Sequence, residues 1–264
     1  RDRSVSRGLG DVYKRQEEKG REPQYDGYVE SFTENWEKLE RYDNNAPKTM
    51  NAHLHVLEAY TLLYQCWKDN GLKKRLEFCV DLFINRIYDP SRRHFNLFFD
   101  NEWNSLVEMD SYGHDVETGW LLCEAARTLE NQDLIEQTNQ LALDVTGACL
   151  AEGMSDKGYM IYEKKGDRKT RHASWWGQVE TMIACVNAWQ ISGDEAWLQS
   201  ADTVWTFVKD HMVDKEYGEW YSDCFDGEPK KEAPKVSMWR CPYHTVRLGC
   251  LLYTSPSPRD TERS

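Results

Sequence analysis

The sequence predicts an all-α protein of the (α/α) toroid or barrel class, a repeated helical hairpin with short β-hairpins at one rim. Two observations carry the prediction. The first is a repeat: the segments around Tyr28, Phe95, Tyr159 and Trp220 recur at intervals of 67, 64 and 61 residues. Each is short, aromatic and bounded by Gly, Asp or Asn, which reads as a strand in a tight hairpin. The second is an alternation between two kinds of helical pattern in the intervals.

The first pattern of each interval spans Thr49–Trp67, Asp115–Leu129 and Ser174–Ile191 and carries few charges. Between Lys48 and Lys68 only Glu58 is charged, and between Arg171 and Asp194 only Glu180. Such helices are expected to be buried nearly all round. The second pattern spans Leu72–Ile87, Leu134–Leu150 and Glu195–Met212 and mixes apolar positions at helical spacing with charged residues, as an outer helix does. Three complete hairpins and the start of a fourth at Tyr243–Gly249 do not close a ring, so the chain is expected to be a gene fragment lacking N-terminal hairpins and its extreme C-terminus.

Composition narrows the function. The 264 residues hold 33 Lys+Arg against 45 Asp+Glu, a net charge of −12 that repels nucleic acid and anionic membrane surfaces and leaves small neutral ligands. No apolar run approaches the roughly 20 residues needed to cross a bilayer. The 8 cysteines form no C-x-x-C pair, which points to reduced thiols, a cytoplasmic location and no structural zinc. The ends read differently from the rest. Asp11–Gln16 matches the translation of a transposon end used in sequencing libraries, and Cys250–Asp260 matches the opposite adaptor in another frame. Residues 1–16 and 250–264 are therefore expected to be adaptor-like tails around a domain at 17–249.

Candidate chemistry sits at the starts of the low-charge helices. Asn51, His55 and Glu58 fall at i, i+4 and i+7 on one face, whereas His53 points elsewhere. His53-x-His55 is a poor metal pair because an i, i+2 spacing diverges on a helix. His114 and Glu117 lie three apart at a helix start, where the dipole favours a neutral imidazole able to act as a base; Glu117 capping backbone amides is the plainer alternative. Trp176 and Glu180 at i, i+4 set an indole face beside a carboxylate, which suits a sugar as well as it suits core filling. His244 follows Pro242 in the first turn of a fourth low-charge helix.

Asn51-Ala-His-Leu-His55-Val-Leu-Glu58, Ser111-Tyr-Gly-His114-Asp-Val-Glu117, Trp175-Trp176-Gly-Gln-Val-Glu180 and Trp239-Arg-Cys-Pro-Tyr-His244 together resemble the signatures of the cellobiose 2-epimerase branch of the N-acylglucosamine 2-epimerase superfamily. The resemblance covers residues 17–249. It implies a barrel of about six hairpins, of which three to four are present here. It also implies an acid/base pair at His114 and His244, with His55 and Asn51 around the reducing-end sugar and Glu117, Trp120, Trp176, Glu180 and Trp239 as further site residues. An arginine and a tyrosine that the family supplies from its first hairpins have no counterpart.

Inverting C2 of an aldose requires ring opening, removal of the proton alpha to the aldehyde, and its return to the opposite face of an enediolate. Two histidines near neutrality can do this with no redox cofactor and no metal. A carboxylate such as Glu117 would orient one imidazole, and donors such as Asn51 would stabilise the oxyanion. The implied substrate is a β-1,4-linked disaccharide. An aldose–ketose isomerase, an N-acylglucosamine or mannose 2-epimerase, a toroid glycoside hydrolase using Glu117 and Glu180, and a helical-repeat binding module are the rival readings.

Overall fold

The computed structural model describes residues 12–37, 39 and 45–254. The outermost parts of both tails, 1–11 and 255–264, lie outside the described residues. The chain divides into two compact units, one built from the sequence up to Asp110 with Leu121–Thr138, the other from Ser111–Trp120 with Asn139 onward. Helical hairpins linked by small sheets make up both, the fold class that the repeat predicts.

In the first unit, α1 (12–15) opens into a wide turn over Gln16–Gly20. These residues fall at the boundary of the expected tail, and the Tyr13 ring rests edge-on against Tyr60 at 5.3 Å and Trp67 at 6.0 Å. Strand β1 (Lys48–Thr49) runs directly into α2 (Met50–Cys66), whose first turn is capped by the Thr49 hydroxyl accepting from the Ala52 amide. Helix α3 (Asn70–Leu82) starts at the Asp69 cap and ends in a wide turn over Phe83–Ile87. Strands β2 (Tyr88–Asp89) and β3 (His94–Phe95) pair antiparallel, and β4 (Phe98–Phe99) pairs with β1. Leu54 and Leu57 of α2 and Leu72, Leu76, Cys79 and Val80 of α3 form the core.

One expectation fails here. Helix α2 is not buried all round: His55, Ala59 and Leu62 open to solvent, Leu62 by 51%. Low charge identifies a helix meant to be covered on both flanks, but burial follows from the neighbours present, and in its unit α2 packs chiefly on α3.

Helix α4 (Tyr112–Leu129) follows β5 (Met109–Ser111), and α5 (Gln132–Gly153) returns beside it. In the second unit β6 (Glu163–Lys165) and β7 (Arg168–Thr170) form a hairpin, and β8 (His172–Ser174) leads into α6 (Trp175–Ser192). Helix α7 (Ala196–Phe207) ends, like α3, in a wide turn, Val208–Met212. Strand β9 (Asp223–Phe225) pairs with both β8 and β10 (Glu228–Pro229), and α8 (Tyr243–Thr254) closes the unit against α6. Helix α6 answers the expectation fully: every residue from Gly177 to Cys185 is buried.

The four aromatic segments all pair back onto the end of the preceding segment, as Arg21↔Tyr28, Tyr88↔Phe95, Met154↔Met160 and Val213↔Trp220. Each bend contains a residue with positive φ, among them Gly27, Arg93, Gly158 and Gly218. The fourth residue of an inner helix fastens two of these segments. His53 accepts from the Tyr28 amide through Nε2 (2.8 Å) while Nδ1 donates to the Thr49 carbonyl (2.6 Å). Gln178 grips the Met160 peptide at both its amide and its carbonyl, each at 2.8 Å. His53 is thus a satisfied core histidine, and burial pulls its pKa down to about 4.

No helix among the described residues is long and apolar enough to cross a membrane. All eight cysteines are free of disulfides.

Candidate active site

Inner helices start where a short strand ends, and the junction residue is Thr49, Ser111 or Ser174. A hydroxyl at that point stabilises the first turn and fixes the direction in which the next few side chains leave the sheet. In the second unit this aims three helix starts at one spot. Ser111 places its Oγ 2.8 Å from Nδ1 of His114, the third residue of α4. Ser174 caps α6 through the Gly177 amide and sets Trp175 and Trp176 in the first turn. The Pro242 carbonyl accepts the first helical bond of α8 from Val246, leaving His244 in that turn, as the proline predicts.

Trp176 is the common wall. Its ring centroid lies 4.6 Å from the His114 imidazole and 5.8 Å from the His244 imidazole. Gly113 makes the fit possible, since a Cβ there would stand 2.6 Å from the Trp176 ring. Tyr162 meets the same indole edge-on at 6.2 Å.

Beneath the rings lies a charged cluster. Glu180, fully buried, receives three donors: Nδ1 of His244 at 2.6 Å and Nη2 of Arg247 at 2.7 Å on Oε1, and the Trp120 indole N–H at 2.9 Å on Oε2. The same Arg247 nitrogen donates to Glu117 Oε1 at 2.6 Å. The guanidinium also lies over the Trp120 ring at 4.9 Å and the Tyr243 ring at 4.3 Å, and donates to the Tyr243 hydroxyl at 2.7 Å. Burial alone would pull the Arg247 pKa down, but the opposing charges of Glu180 and Glu117 outweigh it and hold the group above its ordinary value. With Nδ1–H of His244 committed to Glu180, the other ring nitrogen, Nε2, is the one left to carry or take a proton.

Of the residues singled out in the sequence, His114, Glu117, Trp120, Trp176, Glu180 and His244 come together. The Glu117 carboxylate binds Arg247, and Glu180 is the carboxylate that takes the Nδ1 hydrogen bond of His244. Trp239 stands apart, 82% exposed, because the bridge Ser237↔Arg240 turns it outward while Arg240 is buried over the Trp175 ring. Asn51 and His55 belong to the first unit, where the His55 side chain is 52% exposed and its Nδ1 lies 3.7 Å from Glu58. Sequence reasoning missed Arg247. The available signal was that two near-isolated carboxylates on low-charge helices require a cation, and Arg247 is the basic residue one turn beyond His244.

The nearest side-chain ligand atoms of Glu117, Glu180 and His244 lie within 4.8 Å of one another, a cluster of acceptors that calls for a cation. The cation between them is the guanidinium.

Three ring-bearing helix starts, two imidazoles and a carboxylate pair bridged by a guanidinium define an (α/α)-hairpin protein with a polar, ring-walled site. The family model for N-acylglucosamine 2-epimerase (GlcNAc 2-epimerase) matches residues 3–247, and the chain belongs to that family. The cellobiose 2-epimerase of Bacteroides fragilis is 40% identical over 232 residues, covering 84% of this chain and 58% of that protein. That of Dictyoglomus turgidum is 35% identical over 231 residues, covering 85% and 59%. The solved cellobiose 2-epimerase of Bacillus thermoamylovorans superposes with a TM-score of 0.89 at 34% identity, over 96% of this chain and 66% of that one. The chain thus spans a little under three fifths of the length of these curated relatives.

Proposed function

We propose that this chain carries the proton-transfer half of a sugar 2-epimerase, with 17–249 as its domain and the flanking residues as tails, acting in the cytoplasm on the reducing-end glucose of a β-1,4-linked disaccharide such as cellobiose or lactose. The observation that carries the reading is the placement of His114 and His244 against a single indole from separate helices. An open-chain aldose lying along Trp176 would present its C2 hydrogen to one imidazole and the opposite face of C2 to the other. One histidine takes the proton while the C–H electron pair passes into the enediolate. The second returns a proton to the other face, and C2 is inverted with no net change in oxidation state.

His244 suits this work because Glu180 fixes its Nδ1–H, so Nε2 faces substrate. Trp176 packs on the sugar's C–H face. The family resemblance assigns Asn51 and His55 to the surroundings of the reducing-end sugar and Trp239 to the further substrate-binding residues.

A glycoside hydrolase would need a carboxyl group free to protonate the glycosidic oxygen. Both oxygens of Glu180 are already engaged by donors, which favours the epimerase. An aldose–ketose isomerase shares the enediolate and differs only in returning the proton to C1.

The deciding experiment extends the chain to the length of its relatives and incubates it with cellobiose, lactose, mannose and N-acetylglucosamine in heavy water. Deuterium at C2 with formation of the C2 epimer is expected, and His114→Ala and His244→Ala each abolish it. Retained exchange in both variants refutes the proton-transfer assignment, and ketose without the C2 epimer refutes the epimerase.

A further inference from the structure

We propose that Arg247 is a positioning residue that sets the charge balance of the Glu180–His244 pair, so that one imidazole can serve in turn as base and as acid. The proposal rests on the proton-transfer reading of His244. It starts from a charge count. Besides the Trp175 and Trp176 rings, the charged and titratable groups given against His244 are Glu180 from α6, Glu117 from α4, and Tyr243 and Arg247 from α8. Two carboxylates and one guanidinium leave a single net negative charge when the imidazole is neutral and none when it is protonated.

Neither state of the ring then forces more than one unbalanced charge into a site where Glu180 is 0% and Glu117 2% exposed. Without the guanidinium, the same two states would leave two charges or one. The buried carboxylates would hold the imidazolium, and His244 would lose its capacity to accept a proton from carbon.

Among the described residues, the geometry gives this role to Arg247. One nitrogen, Nη2, bridges Glu117 and Glu180 at 2.6 and 2.7 Å and sits 3.4 Å from Nδ1 of His244. The guanidinium lies over both the Tyr243 and the Trp120 rings, 4.3 and 4.9 Å from their centroids. Since Arg247 and His244 lie three apart on one helix, the cation moves with the imidazole that it tunes. Arg247 is placed to act through the carboxylates rather than on the sugar.

The test follows the His244 ring by NMR in the chain as it stands, labelled at its 7 histidines, with the resonance assigned by loss in His244→Asn. In Arg247→Gln the midpoint of that titration moves up by about one pH unit or more, a tenfold change in proton affinity. In Glu117→Gln, where the guanidinium loses a competing carboxylate, it moves down. Arg247→Lys keeps the charge and restores most of the wild-type midpoint. An unmoved midpoint in folded Arg247→Gln, or shifts of the same sign in Arg247→Gln and Glu117→Gln, overturns the proposal. Should Arg247→Gln not fold, the direction in Glu117→Gln decides, since glutamine preserves shape and an acceptor for the guanidinium. These readings need no turnover, so opposite shifts alongside absent C2 exchange would leave the charge-balance role standing and remove the epimerase reading.

Discussion

Replacing Gly113 with alanine tests whether the Trp176 wall is as tightly set as the distances indicate. The new Cβ would lie 2.6 and 2.7 Å from two atoms of the Trp176 ring and 3.2 Å from the Gly177 Cα, a rigid ring and a backbone atom rather than the end of a flexible chain. Relief requires the indole or α6 to move. Overpacking of this kind costs about 1–3 kcal/mol, against a helix-propensity gain from Gly to Ala of at most about 1 kcal/mol. With the full propensity gain, the net loss of up to about 2 kcal/mol corresponds to a Tm lower by up to about 8 °C. Gly119, six residues on in the same helix, supplies the control. Its Cβ would meet the Ala142 Cα at 3.5 Å, an ordinary contact, so Gly119→Ala should gain about 0.5–1 kcal/mol. Thermal unfolding followed by circular dichroism at 222 nm reads both. If Gly113→Ala melts at or above Gly119→Ala, the close packing of α4 on Trp176 is wrong, and with it the shared wall between the two imidazoles.

Three further outcomes are expected. Glu180→Gln leaves the His244, Arg247 and Trp120 donors facing a half-donor amide, which should lower stability by about 3–5 kcal/mol and remove C2 exchange in the extended protein; urea denaturation and exchange in heavy water measure the two losses, and a variant as stable as wild type would refute the cluster. His53 has a folded-state pKa of about 4 against an ordinary 6.5, so its neutral form contributes stability that is fully present above pH 6.5 and lost as pH falls toward 4, by up to about 3 kcal/mol; the corresponding slope in urea midpoint should vanish in His53→Gln. With Cys66, Cys241 and Cys250 exposed and the other five buried, a thiol reagent should titrate three groups quickly in native protein and eight in denaturant, Cys185 being especially inert because burial pushes its thiol up to about 12.

The repeat was legible in sequence because its cause is local. A tight bend with positive φ followed by an aromatic that packs inward must recur wherever a hairpin caps a helix, so Tyr28, Phe95 and Tyr159, all buried, and the half-buried Trp220 keep a nearly constant spacing. Helix character was legible for the same reason: α6 carries a single charge, Glu180, because most of its surface is covered. The hydroxyl at each strand–helix junction and the proline before His244 likewise act within one turn, and they placed the candidate residues at helix starts.

Partner choice is a matter of distance in space, and sequence does not encode that directly. Glu117 and Glu180 were both recognisable as costly carboxylates, yet which of them takes the His244 hydrogen bond was decided by the approach of α8, whose His244 reaches Glu180 while its Arg247 spans both. Trp239 carried a family signature and still turned to solvent, because the Ser237↔Arg240 bridge spends the inward direction on Arg240. The open face of α2 is the same lesson in reverse: an apolar pattern states what a helix can bury, and only the neighbours it actually meets determine what is buried. Sequence alone therefore determined which side chains stand at the helix starts, through bonds within a turn, and tertiary structure alone determined how their charges are shared, through Coulomb and hydrogen-bond contacts between residues as far apart as Glu117 and Arg247.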